Sequence, residues 1–316
     1  MDLEERILGS IYGHLAGDAL GVPYEFTPPG SLPARIDWTC GGAHGRPPGT
    51  WSDDGALMLC LLASLLESGG FDPNDAGGRF VRWFDEGYMS AGGDTFDWGR
   101  GTARAIQRLR SGIDPLQAGP GGENDNGNGS LMRILPVALW TSGEPGAGRV
   151  SLSHEASGLT HGHPRSRVCC ALYVLTAGSL LAGKAPGVAW DGALTTLRGI
   201  YRDERSWGAV YLDELDRVLA FGPPRGTGYV VDCLASSIAA LESADDYTSS
   251  GVAAVRFGND TDTTAAVAGG LAGALYGVGS IPAEWREGLR LTDEQRRVID
   301  RFAEQCAARS ADVHEA

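Results

Sequence analysis

Apolar side chains recur at helical spacing along most of this chain. Near the start, Leu3, Ile7, Ile11 and Leu15 fall on one face of a helix predicted to run from residue 3 to residue 20. No series of alternating or β-branched runs with hairpin turns is present, so the pattern predicts an all-α protein. Further helices are predicted at 55–68, 74–87, 101–111, 188–202, 229–243 and 293–309, after Pro164 and Asp262, and, interrupted or kinked, around Pro136.

Glycine forms a second stripe along the first predicted helix, at positions 9, 13, 17 and 21. Each glycine costs a helix up to about 1 kcal/mol relative to alanine, so four in register indicate that another backbone approaches closely there. A matching stripe at positions 269, 273 and 277 follows Asp262. We therefore expect these two helices to pack tightly near the centre of the fold.

Composition places the chain among ordinary globular proteins. Its 316 residues are 42% hydrophobic and 21% charged, which fits one large domain or two of average size. With no internal repeat and no linker, we predict a single compact, orthogonal multi-helix domain over residues 1–316.

Charge and cysteine usage narrow the partners and the compartment. A net charge of −14 repels phosphate backbones, so nucleic acid is a disfavoured partner, although a local positive pocket is not excluded. The N-terminus lacks the pattern of a signal peptide, and no uninterrupted apolar run reaches about eighteen residues. We therefore expect no membrane span and a cytoplasmic protein. Buried, reduced thiols are predicted for Cys40, Cys60, Cys169, Cys170, Cys233 and Cys306, which show no C-x-x-C spacing.

Two clusters of hydroxyl and carboxylate side chains precede predicted helices. One is the stretch from Ser52 to Asp54, and the other runs from Asp260 to Thr264. Helix capping explains one side-chain oxygen per helix, and capping or a solvated surface is the more ordinary reading of either cluster alone. Four close carboxylates need positive charge, and Mg²⁺ and Mn²⁺ prefer oxygen ligands. The two clusters together therefore favour a divalent-metal site.

Other candidate site residues lie on loops that precede helices. Glu25 begins a long Pro/Gly-rich loop to Thr50, from which its carboxylate could reach the metal cluster. Gly99–Thr102 begin a predicted helix, and the backbone N–H groups there could bind an anion, although a plain turn explains these residues equally well. The loop 126–130 offers amides for a sugar or phosphate, or is a flexible surface loop. His161 and His163 are expected to cap, orient or contact substrate rather than bind metal, because no second spaced pair accompanies them.

In combination these motifs resemble the ADP-ribosylglycohydrolase family. The match rests on GDALGVPYEF, GTWSDDGALM, NGNGSLMR, LTHGHP, GYVVDCL and GNDTDTT, which occur in the family's order. The resemblance implies an all-α globule with two Mg²⁺ or Mn²⁺ ions in a central cleft. It also implies hydrolysis of the N- or O-glycosidic bond between ADP-ribose and an acceptor, with ADP-ribose as product.

The resemblance assigns site residues to positions of this chain. Glu25 matches an acidic residue beside the metals that is a ligand, a gate or a general base, and we expect Glu25, Asp54 and Asp262 to be catalytic, with Asp262 bridging the ions. Three departures concern Gly55, where a Thr is usual, Leu57, and Asn126, where some relatives carry a stacking aromatic. The implied metal ligands are Ser52, Asp53, Asp54, Asp260, Asp262 and Thr263, and the implied substrate contacts are Gly99, Arg100, Gly101, Thr102, Asn126, Gly127, Asn128, Gly129, Ser130 and His161.

Other functions remain open at this point. The leading acceptor is ADP-ribosyl-arginine on a protein, and serine, nucleic-acid or small-molecule adducts are alternatives. Paired Asp clusters and phosphate loops also suit a metal-dependent hydrolase of nucleotide pyrophosphates. A catalytically silent ADP-ribose-binding protein is the third reading. Retention of all six ligand-type residues argues against it.

Overall fold

The computed structural model describes residues 1–39 and 41–315, without the side chains of residues 312–315. This part of the chain contains fourteen α-helices and no β-strand, which confirms the all-α prediction. The helices are α1 (Leu3–Gly21), α2 (Asp53–Ser68), α3 (Pro73–Glu86), α4 (Arg100–Arg110), α5 (Leu135–Trp140), α6 (Gly146–Gly158), α7 (Pro164–Leu181), α8 (Pro186–Asp203), α9 (Gly208–Leu219), α10 (Val230–Glu242), α11 (Tyr247–Val255), α12 (Thr261–Tyr276), α13 (Ala283–Gly288) and α14 (Asp293–Glu315).

Helices α1 and α12 form the centre of the fold and pack along each other over most of their length. The packing confirms the expectation from the glycine stripes. A Cβ added at Gly13 would lie 2.5 Å from the carbonyl oxygen of Gly269, and one at Gly9 would lie 2.5 Å from that of Gly273. At Gly21 the added Cβ would overlap the backbone of Asp262. This glycine seam, the line of close contact between α1 and α12, therefore runs from Gly9 to Gly21 along α1 and ends at the first turn of α12.

Two further helices enclose the central pair. Helix α7 packs against α5, α6, α8, α9, α10 and α12, and almost every one of its residues is buried. Helix α14 lies across α1 and α2 on the other side. The apolar positions that give the sequence its helical periodicity, such as Ile7, Ile11 and Leu15, are completely buried. Their burial is the dominant favourable term holding the helices together.

Most predicted helices appear within a few residues of their expected bounds, but four were not predicted. Helices α6, α9, α11 and α13 lie in segments that the sequence pattern left unassigned. The kinked helix around Pro136 is a correction: the helix is only six residues long and begins at Leu135, so the proline lies in its first turn. There the missing N–H of proline removes no helical hydrogen bond.

The cysteine prediction is confirmed where it can be judged. Cys60, Cys169, Cys170, Cys233 and Cys306 are free and buried, whereas Cys40 lies outside the described residues. None of the helices in the described part of the chain has the length and apolarity needed to cross a membrane.

The glycine seam gives a direct test of the central packing. Gly13→Ala should lower the free energy of unfolding by about 1 to 3 kcal/mol or more, because its methyl group would meet the Gly269 carbonyl. Gly192→Ala in α8 is the matched control, since no atom lies within 4 Å of the added Cβ. The control should leave stability unchanged or raise it by up to about 1 kcal/mol. Equal urea midpoints for the two variants would contradict the seam.

Candidate active site

The N-terminus of α2 places Ser52, Asp53 and Asp54 next to α1. Ser52 caps the helix by accepting a hydrogen bond from the backbone N–H of Asp54 at 3.3 Å. Asp18, a fully buried residue of α1, accepts bonds from the N–H groups of Ser52 and Gly55, both at 2.8 Å. Capping is therefore done by Ser52 and Asp18. The carboxylates of Asp53 and Asp54 are not needed for capping, and that of Asp54 accepts a bond from the hydroxyl of Ser52 at 2.9 Å.

The N-terminus of α12 lies against that of α2. Asp260 is the N-cap residue, yet its side chain makes no capping bond and instead accepts from the side-chain amide of Asn128 at 2.8 Å. The hydroxyl of Thr263 donates to the carboxylate of Asp54 at 3.3 Å, which joins the two helix starts directly. The two acidic clusters of the sequence, about two hundred residues apart, thus form one site.

Ligand-type oxygens from these turns lie close enough to share cations. One atom each from Asp18, Asp54 and Asp262 lie within 4.8 Å of one another, and so do atoms of Glu25, Asp260 and Asp262. Asp262 belongs to both groups. Oδ1 of Asp54 and Oδ2 of Asp262 are buried and accept no hydrogen bond from the described residues. Hard divalent cations satisfy such oxygens, so the donor set fits Mg²⁺ or Mn²⁺.

Burial and mutual repulsion raise the pKa of every carboxyl group in this cluster whose shift is resolved. Desolvation is the larger cause and neighbouring carboxylates the next for Asp53 and Asp54, whose pKa values lie well above the usual range. Desolvation raises the pKa of Asp18 to about 7, and that of Asp262 is raised well above normal by desolvation and by Glu25. Without added positive charge these groups would hold protons near neutral pH.

Glu25 is buried at the edge of this cluster. Desolvation, followed by the charges of Asp97 and Asp260, raises its pKa to about 10. Its carboxylate contacts Nε2 of His44, and the same nitrogen lies 3.7 Å from Asp97. The prediction that Glu25 reaches the acidic cluster from its loop is thus met geometrically, and the structure adds His44 and Asp97 as its neighbours.

A cleft of about 550 Å³ opens beside the acidic cluster. Its lining combines carboxylates with the N-terminus of α4, two arginines and glycine-containing loops. Arg104 was not predicted; it pairs with Asp125 at 2.8 Å. The lining residues are Glu25, Asp53, Asp97, Gly99, Arg100, Gly101, Thr102, Arg104, Asn124, Asp125, Gly127, Asn128, Gly129, Met132, His161, Gly228, Asp260 and Thr263.

His161 lies between the two glycine loops. A Cβ at Gly101 would lie 2.9 Å from its Nε2, and one at Gly129 would lie 2.7 Å from its Cε1. Burial, and then the charge of Arg133, lower the pKa of His161 to about 3, so the ring is neutral. The glycines are therefore required for a histidine to fit between the loops, and this arrangement fixes the loops relative to each other.

Two residues of the predicted substrate loop do not line the cleft. The side chain of Asn126 accepts a hydrogen bond from the hydroxyl of Ser166 and donates one to the carbonyl of Glu123, and Ser130 is fully buried against Ser157. Ser52, Asp54 and Asp262 also lie behind the cleft wall rather than on it. The other predicted site residues, including Gly127, Asn128 and Gly129, lie on the cleft surface.

Asp232 of α10 is a buried carboxylate that, like Asp18, accepts hydrogen bonds from backbone N–H groups, and it organises the loop 225–228. It accepts from the N–H of Arg225 at 2.7 Å and from both the N–H and the hydroxyl of Thr227. In that loop the carbonyl of Gly226 accepts from the N–H of Asp260 at 2.9 Å, and that of Gly228 accepts from the N–H of Asn128 at 3.0 Å. Asp232 thus holds the loop that is bonded both to Asp260 and to Asn128. The sequence signal was the polar residue within GYVVDCL.

Comparison with known proteins agrees with this site. The family model described as ADP-ribosylglycohydrolase matches residues 1–314. The chain belongs to the ADP-ribosylglycohydrolase family. Membership confirms the resemblance seen in the sequence motifs and identifies the chain as a hydrolase of the ADP-ribosylglycohydrolase type.

Relatives of this ADP-ribosylglycohydrolase match it over most of their length. The ADP-ribosyl-[dinitrogen reductase] glycohydrolase of Rhodospirillum rubrum is 31% identical over 94% of this chain and 95% of its own. An ADP-ribosylarginine hydrolase of Pseudomonas putida (strain GB-1) is 30% identical, covering 98% of this chain and 80% of its own. A solved structure titled an ADP-ribosylglycohydrolase-related protein complex is 32% identical, with a TM-score of 0.79 over 96% of this chain and 99% of its own.

The raised pKa values predict an unusual pH dependence of stability in metal-free protein. A carboxyl group whose pKa is higher in the folded state than its unfolded value of about 3.9 stabilises at low pH. That contribution is lost as pH rises through the folded pKa values, which reach about 7 for Asp18 and about 10 for Glu25. In EDTA, Asp54→Asn should therefore be more stable than the unsubstituted protein at pH 8, and the difference should shrink at pH 5.

Urea denaturation at the two pH values measures this effect. Asp246→Asn is the matched control, because Asp246 caps α11 at the surface and its backbone bond to Ser249 lowers its pKa. Because both pH values lie above the ordinary pKa of this group, losing it should cost the same stability at pH 8 as at pH 5. Added Mn²⁺ should stabilise the unsubstituted protein more than Asp54→Asn. A pH dependence of the same sign in both variants would contradict the account.

Proposed function

We propose that this chain hydrolyses the glycosidic bond between ADP-ribose and an arginine side chain of a modified protein. The observation that carries the proposal is the lining of the cleft, which combines carboxylates of the acidic cluster with the N-terminus of α4, two arginines and several glycines. Both relatives named above are described as hydrolases of ADP-ribosylated acceptors, and one name specifies arginine. We further propose that residues 1–316 form one catalytic domain, acting in the cytoplasm.

The acidic cluster at the first turns of α2 and α12 would hold two Mg²⁺ or Mn²⁺ ions. We assign Asp53, Asp54, Asp260 and Asp262 as carboxylate ligands, with the hydroxyls of Ser52 and Thr263 beside them. When bound, such ions supply Lewis-acid stabilisation of developing negative charge and a water of lowered pKa. Asp262 is our choice for the shared ligand, because it alone belongs to both groups of acidic oxygens at this site within the described chain.

The N-terminus of α4 would hold the diphosphate. Gly99, its N-cap residue, makes no side-chain capping bond, and residues 99–102 line the cleft. A helix N-terminus favours an anion. Arg100 and Arg104 line the same region and add positive charge. With the phosphates at α4 and the terminal ribose at the carboxylates, the scissile bond would lie beside Glu25.

Glu25 is the candidate for proton transfer. As water oxygen bonds to C1 of the terminal ribose and the bond to the guanidino nitrogen breaks, the water loses a proton and the leaving guanidine gains one. The carboxylate of Glu25 would accept the first proton and donate the second, and a positive charge in the acidic site favours the ionised form it needs at the outset. The products are ADP-ribose and an arginine side chain, which balances the reaction.

Product analysis tests the proposed reaction. We expect the purified protein with Mn²⁺ to release ADP-ribose from ADP-ribosyl-arginine in a panel that also contains serine, nucleic-acid and small-molecule adducts. AMP and ribose phosphate would instead identify a pyrophosphate hydrolase. Binding of ADP-ribose without turnover of any adduct would identify a non-catalytic binding protein.

Asp262→Ala should lower kcat by at least about a hundredfold while the far-ultraviolet circular dichroism is retained, because both groups of acidic oxygens lose a member. Asp191→Ala, which removes an exposed carboxylate of α8, is the control and should keep full activity. Activity of Asp262→Ala above a few per cent of the unsubstituted protein would place the catalytic centre elsewhere.

A further inference from the structure

Phe26, the residue after Glu25, is both exposed and conformationally strained. Its side chain is 65% exposed, and its φ of +61° lies in the left-handed region. A bulky residue without glycine's freedom pays a free-energy cost there, and an exposed ring buries little surface to offset it. Such outliers concentrate at functional sites. Asp97 and Asn259, two of the three other non-glycine residues with positive φ in the described chain, also lie at this site.

The strained backbone of Phe26 is fixed to the turn that carries Asp260. Its N–H donates to the carbonyl of Asn259 at 2.6 Å, and the N–H of Asn259 donates to the carbonyl of Thr27 at 2.9 Å. The approach is close, because a Cβ at Gly258 would lie 2.7 Å from Pro29 N and Thr27 O. The position of the Phe26 ring relative to the acidic cluster is thus set by the main chain.

The ring lies beside carboxylates that line the cleft. Its centroid lies 5.9 Å from that of His44, and His44 contacts Glu25 and approaches Asp97, which both line the cleft. Phe26 is therefore separated from two cleft carboxylates by a single side chain. An exposed aromatic face beside carboxylates suits a planar cation, and guanidinium binds both aromatic faces and carboxylates.

We infer that Phe26 determines acceptor specificity by packing its ring against the guanidino group and aliphatic stem of the arginine that carries ADP-ribose. This inference rests on the proposed function. With ADP-ribose in the cleft as proposed, the acceptor bonded to its terminal ribose lies beside Glu25, next to the exposed ring of Phe26. A neutral acceptor such as serine gains no cation–π attraction there, so the ring favours arginine adducts.

Two substitutions separate the ring from its backbone. Phe26→Asn removes the ring but tolerates the left-handed conformation, since asparagine is enriched there. Phe26→Tyr keeps the aromatic face. The assay measures kcat/KM on an ADP-ribosyl-arginine peptide and, by calorimetry with Mn²⁺ present, the Kd of ADP-ribose, which lacks an acceptor. We expect Phe26→Asn to lower kcat/KM by about tenfold, to leave the Kd for ADP-ribose within about twofold and not to lower Tm.

Each outcome decides the inference. Phe26→Tyr should retain kcat/KM within about twofold of the unsubstituted protein. If Phe26→Asn hydrolyses the arginine peptide as well as the unsubstituted protein does, the role of Phe26 is refuted while the proposed function stands. An equal loss of ADP-ribose binding would show that the ring only supports the cleft and would also refute it. No release of ADP-ribose from the arginine peptide by the unsubstituted protein refutes the proposed function, and this inference with it.

Discussion

The structure depends on concentrating carboxylates at two facing helix starts, where some of them are completely buried. Asp54 and Asp262 are fully buried at facing helix starts, and each presents an oxygen with no hydrogen-bond donor among the described residues. Isolated buried charges of one sign are unstable, and helix N-termini favour anions only modestly. A protein that keeps such a cluster needs protons or cations to neutralise it. The raised pKa values of these groups express the same requirement.

The fold supplies the means of building that cluster. Glycines let α1 and α12 approach until Gly21 contacts the backbone of Asp262, and a side chain at that position would push the first turn of α12 away. Asp18, three residues earlier on α1, holds the first turn of α2 through two N–H groups. One helix thus sets the position of both acidic turns. Asp232 in turn fixes the loop 225–228, which is bonded to Asp260 and Asn128.

Much of this arrangement could be predicted from the sequence, because the signals were local and repeated. Glycines at four-residue spacing predicted the central helix pair, and two acidic clusters before helices predicted a common site. Helix α6 was missed because its glycine- and serine-rich sequence carries no strong apolar periodicity. Asn126 and Ser130 were expected to contact substrate, and their buried bonding to Ser166 and Ser157 could not be inferred from composition.

Other site residues were invisible because their neighbours are distant in sequence. Asp18 looks like a surface carboxylate within a glycine-rich helix, and its partners lie 34 and 37 residues away. His44 and Asp97 meet Glu25 only after a long irregular loop folds back. Arg104 lies on α4 with three other arginines, and only the fold distinguishes it from Arg108 and Arg110. Tertiary packing, rather than local preference, selects these side chains.

Anomalous diffraction from crystals grown with Mn²⁺ tests the central claim most directly. The account predicts two strong peaks between the first turns of α2 and α12, each within coordination distance of Asp262, with neighbouring oxygens from Asp53, Asp54 and Asp260. Peaks confined to other surfaces, or no peak between these turns at saturating Mn²⁺, would contradict it.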